Sequence, residues 1–167
     1  GNLTVGKKKY ADVEERMQAE LVELADTREH LLALIDEDAR AFGPLAAAYG
    51  MPKGSDEERA AQSAALQAAL VDACEVPLEI MATSVQVIES CVFMARHGSV
   101  LALSDAGAAA VLAKAALQAA SLNVVINIGS MDDAERAEGY RNQMEDLLAA
   151  GCAMADEVYA DVVKRLS

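Results

Sequence analysis

Tryptophan is absent, phenylalanine and tyrosine together make up 4% of the chain, proline occurs 3 times and glycine 10 times. So few turn formers exclude an all-β chain of many short strands. Two histidines, His30 and His97, and three scattered cysteines, Cys74, Cys91 and Cys152, contain no Cys-x-x-Cys pair and no zinc ligand set, so no metal is expected. Three cysteines, an odd number, read as reduced thiols in apolar surroundings, which suits the cytoplasm. Cations are also scarce: 14 Lys and Arg stand against 27 Asp and Glu, a net charge of −13. Phosphate backbones and anionic lipid repel such a chain, so neither nucleic acid nor a membrane surface is an expected partner. With no signal peptide and no run of 18 apolar residues, nothing is expected to export or anchor it.

What is present is alanine, about a fifth of the residues, in a chain 53% hydrophobic and 167 residues long, the size of one domain. Apolar residues at Tyr10, Val13, Met17, Leu21, Leu24, Leu31, Ile35 and Phe42 fall at three-and-four spacing and predict a first helix, which Gly43-Pro44 should end. Ala46 to Tyr49 add a turn or two. Ser55 with Glu58 forms a capping-box signature for a helix to about Glu75. Pro77 either kinks that helix or starts the next, Leu78 to Arg96, with Gly98 a candidate left-handed cap. Ser104 is the expected cap of an alanine-rich helix through Asn127, and Ser130 with Asp133 restarts a last helix from about Asp132 to Arg165. Gly139 and Gly151 weaken that helix without ending it. Val124-Val125-Ile126 reads as helix within this pattern. The fold class is all-α: a bundle of four to five long, mostly antiparallel helices. Met17, Met81, Met94, Met144 and Met154 lie at helical spacing and read as core filler.

Three polar features interrupt the apolar pattern. Asp38 continues the stripe of Leu24, Leu31, Ile35 and Phe42, so it is expected on the buried face, whereas Asp36 and Glu37 point elsewhere. A carboxylate turned toward a core is a candidate general acid or base; a helix fraying before Gly43 would instead leave it in water. Asn123 and Asn127 share one face of the alanine-rich helix, either as a hydrogen-bonding wall for a polar ligand or as glue between helices. Lys7-Lys8-Lys9 is the one dense basic run, suited to an anionic substrate tail or to a solvated end. Ser104-Asp105 has no neighbouring histidine to make a triad, and the glycines form no phosphate loop.

Six segments in order carry a resemblance: Asn2-Leu3-Thr4-Val5-Gly6-Lys7-Lys8-Lys9-Tyr10, Ile35-Asp36-Glu37-Asp38-Ala39-Arg40-Ala41-Phe42, Tyr49-Gly50-Met51-Pro52-Lys53, Val76-Pro77-Leu78, Leu103-Ser104-Asp105-Ala106-Gly107, and Leu122-Asn123-Val124-Val125-Ile126-Asn127. Together they resemble the formimidoyltetrahydrofolate cyclodeaminase and methenyltetrahydrofolate cyclohydrolase family along essentially the whole chain. The resemblance implies an all-helical, usually dimeric enzyme acting at 5,10-methenyltetrahydrofolate, with no cofactor beyond the tetrahydrofolate substrate. One branch expels ammonia from 5-formimidoyltetrahydrofolate; the other adds water to the methenyl bridge and gives 10-formyltetrahydrofolate. The catalytic aspartate carries over to Asp36 or Asp38, and the stripe prefers Asp38. Tyr10, Ser104, Asp105, Asn123 and Asn127 lie in matching segments and join the expected substrate-binding set, with Lys7, Lys8 and Lys9 meeting the glutamate tail. Residues 1–167 are expected to form one domain lacking the family's N-terminal helix and its Pro-Gly-Gly-Gly-Ser-type loop. No segment suggests a transferase domain, which favours the cyclohydrolase branch. The cyclodeaminase and a non-enzymatic helical interaction module are the alternatives, and a cytoplasmic homodimer is the expected form.

Overall fold

The computed structural model describes residues 1–167 and contains four long helices: α1 (Glu14–Tyr49), α2 (Asp56–His97), α3 (Leu103–Ile128) and α4 (Ala134–Leu166). A 3-10 segment, Lys8–Val13, leads into α1 and bends at Tyr10; a second, Val100–Ala102, joins α2 to α3. Val124-Val125-Ile126 is helical, as its periodicity implies. Helix α2 packs against all three others, α1 lies on α2, and α4 closes over α2 and α3. The main core runs between α2, α3 and α4 and includes Met81, Ile88, Leu117, Val124 and Val158. A smaller cluster, Leu45, Ala69, Leu70 and Ala73, joins the end of α1 to α2. Of the methionines, Met17, Met81 and Met144 are buried, while Met94 and Met154 pack at the core's edge. By length and apolar content alone, α2 and α3 each reach the measure of a membrane span, yet each is a packing element of this bundle.

Two expected breaks do not occur. Helix α1 passes through Pro44 to Tyr49. An internal proline costs about 3 kcal/mol. Beyond it, however, Leu45 and Ala48 are buried, and one buried leucine returns about 1.5–3 kcal/mol. Helix α2 likewise passes through the buried Pro77 as a single helix of 42 residues.

The caps agree in part. Ser55 and Glu58 make the full capping box. Gly98 is extended (φ −76°, ψ 174°) and not left-handed; glycine fits there because a Cβ would meet the Met94 carbonyl oxygen at 2.5 Å. Helix α3 starts one residue before Ser104, which does not cap it: the chain is already turning, with the Ser99 hydroxyl accepting from the Leu101 N–H. Asp133 alone caps α4, accepting from the Arg136 N–H at 3.0 Å, while the Ser130 carbonyl accepts from the Gln67 amide. Cys74 and Cys91 are buried, and desolvation pushes both thiols up to about 11.

Candidate functional site

A cleft of about 280 Å³ opens where the end of α1 meets the middle of α2 and the end of α3. Asp38, Phe42 and Tyr49 line it from α1, Ala73 from α2, and Asn123, Ile126 and Asn127 from α3. The volume lies near the lower end of the ~300–1,000 Å³ range of small-molecule sites. The acidic motif and the asparagine pair, 85 positions apart when counted from Asp38 to Asn123, therefore share one cavity.

The stripe that singled out Asp38 has the right spacing and the wrong environment. Asp38 does share a face with Ile35 and Phe42, but these are 64% and 61% exposed, and Asp38 is exposed too. The buried positions of α1 are Met17, Glu20, Leu34, Leu45 and Ala48. The apolar stripe on α1 thus leaves the core along its length: Met17 is buried, Leu24 and Leu31 are half-buried, and Ile35 and Phe42 are exposed. Asp38 meets water, and the penalty expected for a buried carboxylate is absent. Asp36 is exposed and does not line the cleft.

Asn127 has a structural duty that explains the continuity of α2. Pro77 has no N–H to donate to the carbonyl of Ala73, four residues earlier. The Asn127 side-chain amide donates to that carbonyl instead, tying α3 to α2 at the orphaned acceptor. The reading of this residue as interhelical glue therefore holds for its N–H donor, while its side chain still borders the cleft. The signal was legible: a proline inside a helical pattern predicts a free carbonyl four residues back and a polar residue nearby to meet it. We expect Asn127→Ala to destabilise the fold by about 1–3 kcal/mol, the penalty of an unpaired buried acceptor. In a Pro77→Ala background the same change should have a much smaller effect, because the backbone N–H returns. Additive losses across this cycle, measured by chemical denaturation, would count against the assignment.

The remaining expected site residues gather at the opposite end of α3. The N-terminal segment lies beside the start of that helix: buried Thr4 accepts from the Ser99 N–H at 2.9 Å, and Gly6, at φ 74°, donates to the Glu14 carboxylate at 2.9 Å. Lys7, Lys8 and Lys9 are exposed, and the Lys9 ammonium stands 5.4 Å from the centre of the Tyr10 ring. Hydrogen bonding to the Ser99 side chain holds the Tyr10 phenol below its ordinary value; the Val100 backbone and Lys9 act in the same direction against partial desolvation. Asp105 borders a second, mostly apolar cavity of about 340 Å³ with Asn2, Leu3, Leu21 and Ala109. Ser104 is exposed and borders neither cavity. Asp105 and Asn127 are 22 residues apart on one helix, about 33 Å at 1.5 Å per residue. A single chain therefore brings Asp38, Asn123 and Asn127 together but keeps Lys7–Tyr10, Ser104 and Asp105 away from them. No group of three or more His, Cys, Asp and Glu side chains is placed to hold a metal ion. The cleft's apolar walls, Phe42, Tyr49 and Ile126, were missed as site residues because each reads as ordinary helix packing.

Such a cleft, with one carboxylate facing two side-chain amides between exposed aromatic rings, suits a planar, polar ligand carrying positive charge. Comparison with known proteins places the chain. The sequence profile described as Formiminotransferase-cyclodeaminase matches residues 1–146. The methenyltetrahydrofolate cyclohydrolase of Methylorubrum extorquens is 38% identical over 166 residues, covering 99% of this chain and 80% of that protein. The formimidoyltransferase-cyclodeaminase of Rattus norvegicus is 31% identical over 148 residues, 89% of this chain but 27% of that longer protein. Among solved structures, the formiminotetrahydrofolate cyclodeaminase of Thermotoga maritima matches with a TM-score of 0.77 at 30% identity, over 98% of this chain and 75% of that one. With the profile and a near full-length relative agreeing, the chain belongs to the formiminotransferase-cyclodeaminase family.

Proposed function

We propose that this chain is an enzyme of folate one-carbon chemistry, a methenyltetrahydrofolate cyclohydrolase that adds water to 5,10-methenyltetrahydrofolate and releases 10-formyltetrahydrofolate. The observation that carries the reading is the cleft that sets Asp38 opposite Asn123 and Asn127, in a chain 38% identical over almost its whole length to a cyclohydrolase. The bridging carbon of the substrate is an electron-poor amidinium. In this reading Asp38 takes a proton from a water molecule as the water oxygen bonds to that carbon; the C–N5 bond then breaks as the new hydroxyl becomes the formyl C=O, one of the two water protons passes to N5 and the other leaves to solvent, and the formyl group stays on N10. The Asp38 carboxylate also faces the cationic bridge before attack, and Asn123 and Asn127 orient the pterin amide or the bridge. The reaction uses no cofactor beyond the folate itself. The direct test follows the absorbance of 5,10-methenyltetrahydrofolate: its loss should be faster with the protein than without it.

The cyclodeaminase reading is kept as the alternative because relatives of that name include a solved structure with the same fold. Ammonia release from 5-formimidoyltetrahydrofolate, with no effect on the methenyl compound, would select it. Three free cysteines support a cytoplasmic location. A helical interaction module would bind no folate at all, and a titration with folate separates that case from both enzymes.

The expected form is a homodimer. Ala110, Ala113, Leu117 and Ala120 of the alanine-rich helix face the chain's own core, while Ala108, Leu112, Ala115 and Ala119 face outward and leave a small-residue surface for close approach. Light scattering at micromolar concentration should give twice the chain mass; a monomer would count against the seam.

The lysine run is proposed to bind the glutamate tail. Changing Lys7, Lys8 and Lys9 together to Gln should weaken binding of polyglutamylated folate more than of monoglutamate, by about 1 kcal/mol or less for each charge. Added salt should mimic the loss. Equal weakening of both ligands would show that the lysines do not read the tail.

A further inference from the structure

We propose that Pro77 is a positioning residue of the folate site: by withholding an N–H from the Ala73 carbonyl it holds the Asn127 amide in one orientation, with Nδ2 spent on α2 and Oδ1 left to accept from an N–H donor of the bound folate. The proposal rests on the folate reading for the ligand and on geometry for the orientation.

The orientation follows from hydrogen-bond chemistry. A carbonyl oxygen only accepts, so of the two ends of the Asn127 amide only Nδ2 can meet the oxygen of Ala73. The opposite orientation would set Oδ1 against that oxygen. It would also leave an acceptor of the buried Ala73 unpaired, since Pro77 has no N–H to supply. In a helix without the proline, residue 77 would donate to the Ala73 carbonyl and the Asn127 amide would be free to turn either way. Two residues 50 positions apart, one with no donor and one with both a donor and an acceptor, thus fix one polar atom of the site.

That atom is open to a ligand. Oδ1 of Asn127 accepts nothing from the chain, and no buried side-chain oxygen or nitrogen lacks a partner, so Oδ1 is not sealed in the core. Asn127 is half-buried and borders the cleft, which is where Oδ1 opens. Asn123, one turn earlier on α3, is exposed and turns either end toward a ligand. With the Asp38 carboxylate, the cleft therefore holds two groups that accept and one that does either. A reduced pterin supplies matching donors at N3, N8 and its 2-amino group. The donor edge of the ring, and not its carbonyl oxygen, is thereby set against Asn127.

Two measurements test this, both on the full chain. The first is hydrogen exchange of the Asn127 side-chain amide by NMR, its signal identified as the one missing from the double variant Asn127→Asp/Pro77→Ala. Exchange should be about tenfold faster in Pro77→Ala than in the unaltered chain, the loss of one hydrogen bond. Equal rates overturn the orienting role of Pro77. The second is calorimetric titration with tetrahydrofolate, whose head is neutral, so that a change of charge at residue 127 weighs little. Pro77→Ala should bind it at least about twofold more weakly, because the freed amide spends part of its time turned the wrong way. Asn127→Asp in the Pro77→Ala background should restore the affinity, since both its oxygens accept. Asn127→Leu in that background has no acceptor and should bind about tenfold more weakly. These variants fold on an equal footing, because Pro77→Ala returns an N–H to the Ala73 carbonyl. Pro77→Ala binding as tightly as the unaltered chain overturns the positioning role. Equal affinity of asparagine, aspartate and leucine in the Pro77→Ala background overturns the contact with the ligand. An aspartate as weak as the leucine shows that Asn127 donates to the folate, and overturns the proposal too. An unaltered chain that does not bind tetrahydrofolate fails the functional reading instead, and the exchange rates then decide the orientation by themselves.

Discussion

Asp38→Asn is expected to lower turnover of 5,10-methenyltetrahydrofolate by roughly 10²–10⁴, the usual contribution of a positioned acid or base. The amide keeps the size and shape of the carboxylate but can neither accept the proton of the attacking water nor offset the charge of the bridge. Folate affinity should change less, because most of the ligand surface meets the remaining walls of the cleft. Stability should stay within about 0.5 kcal/mol, since Asp38 is exposed and forms no ion pair that the substitution would break. Asp36→Asn, on a neighbouring exposed position outside the cleft, should leave turnover nearly intact. Steady-state kinetics on the two variants side by side decide the assignment. Loss with Asp36→Asn and retention with Asp38→Asn would move the chemistry to the first aspartate of the motif. Retention in both would make the acidic motif structural and remove the central residue of the folate reading.

The contrast between these two aspartates shows what the sequence carries and what it does not. Helical spacing was enough to separate Asp38 from Asp36, because the 100° step between residues is a local property. It was not enough to say what Asp38 faces, because an apolar stripe can line a core, a cleft or another chain. Ile35 and Phe42 belong to the stripe and are more than half exposed. The same gap accounts for the two prolines. Both look like helix ends by local rules, and both are overruled by contacts distant in sequence: Leu45 and Ala48 packing beyond Pro44, and Asn127 reaching the carbonyl freed by Pro77. The order of the helices, by contrast, and the starts of α2 after Ser55 and α4 after Asp133 followed from spacing and capping residues, which act over a single turn. Lys7–Tyr10 and Asp105 match the family's segments as well as Asn123 and Asn127 do, yet lie at the far end of α3 from Asp38. One sequence cannot show that distance, since a motif keeps its order along the chain whether its parts meet within a protomer or across two.

Gly139 and Gly151 illustrate the same limit and supply the second large effect. Both lie inside α4, and by helix propensity each should gain about 1 kcal/mol on replacement by alanine. For Gly139 nothing stands within 4 Å of an added Cβ, so Gly139→Ala should realise most of that gain. At Gly151 an added Cβ would lie 2.5 Å from Cδ2 of Leu117 and 3.0 Å from Cγ2 of Val85. Leu117 is fully buried at the centre of the core, so its side chain has no open space into which to turn. Gly151→Val adds two further methyl groups at that contact and forces α4 away from α2 and α3. Overpacking of this kind costs typically 1–3 kcal/mol and occasionally more; with a branched side chain against two neighbours we expect about 3 kcal/mol. In a protein of this size that corresponds to a melting point lower by roughly 6–12 °C, at 2–4 °C per kcal/mol. Thermal unfolding of both variants at one fixed protein concentration makes the comparison. Opposite signs are expected from two glycines that look alike in the sequence. A stabilised Gly151→Val would mean that α4 does not pack against Leu117 as closely as the fold described here requires.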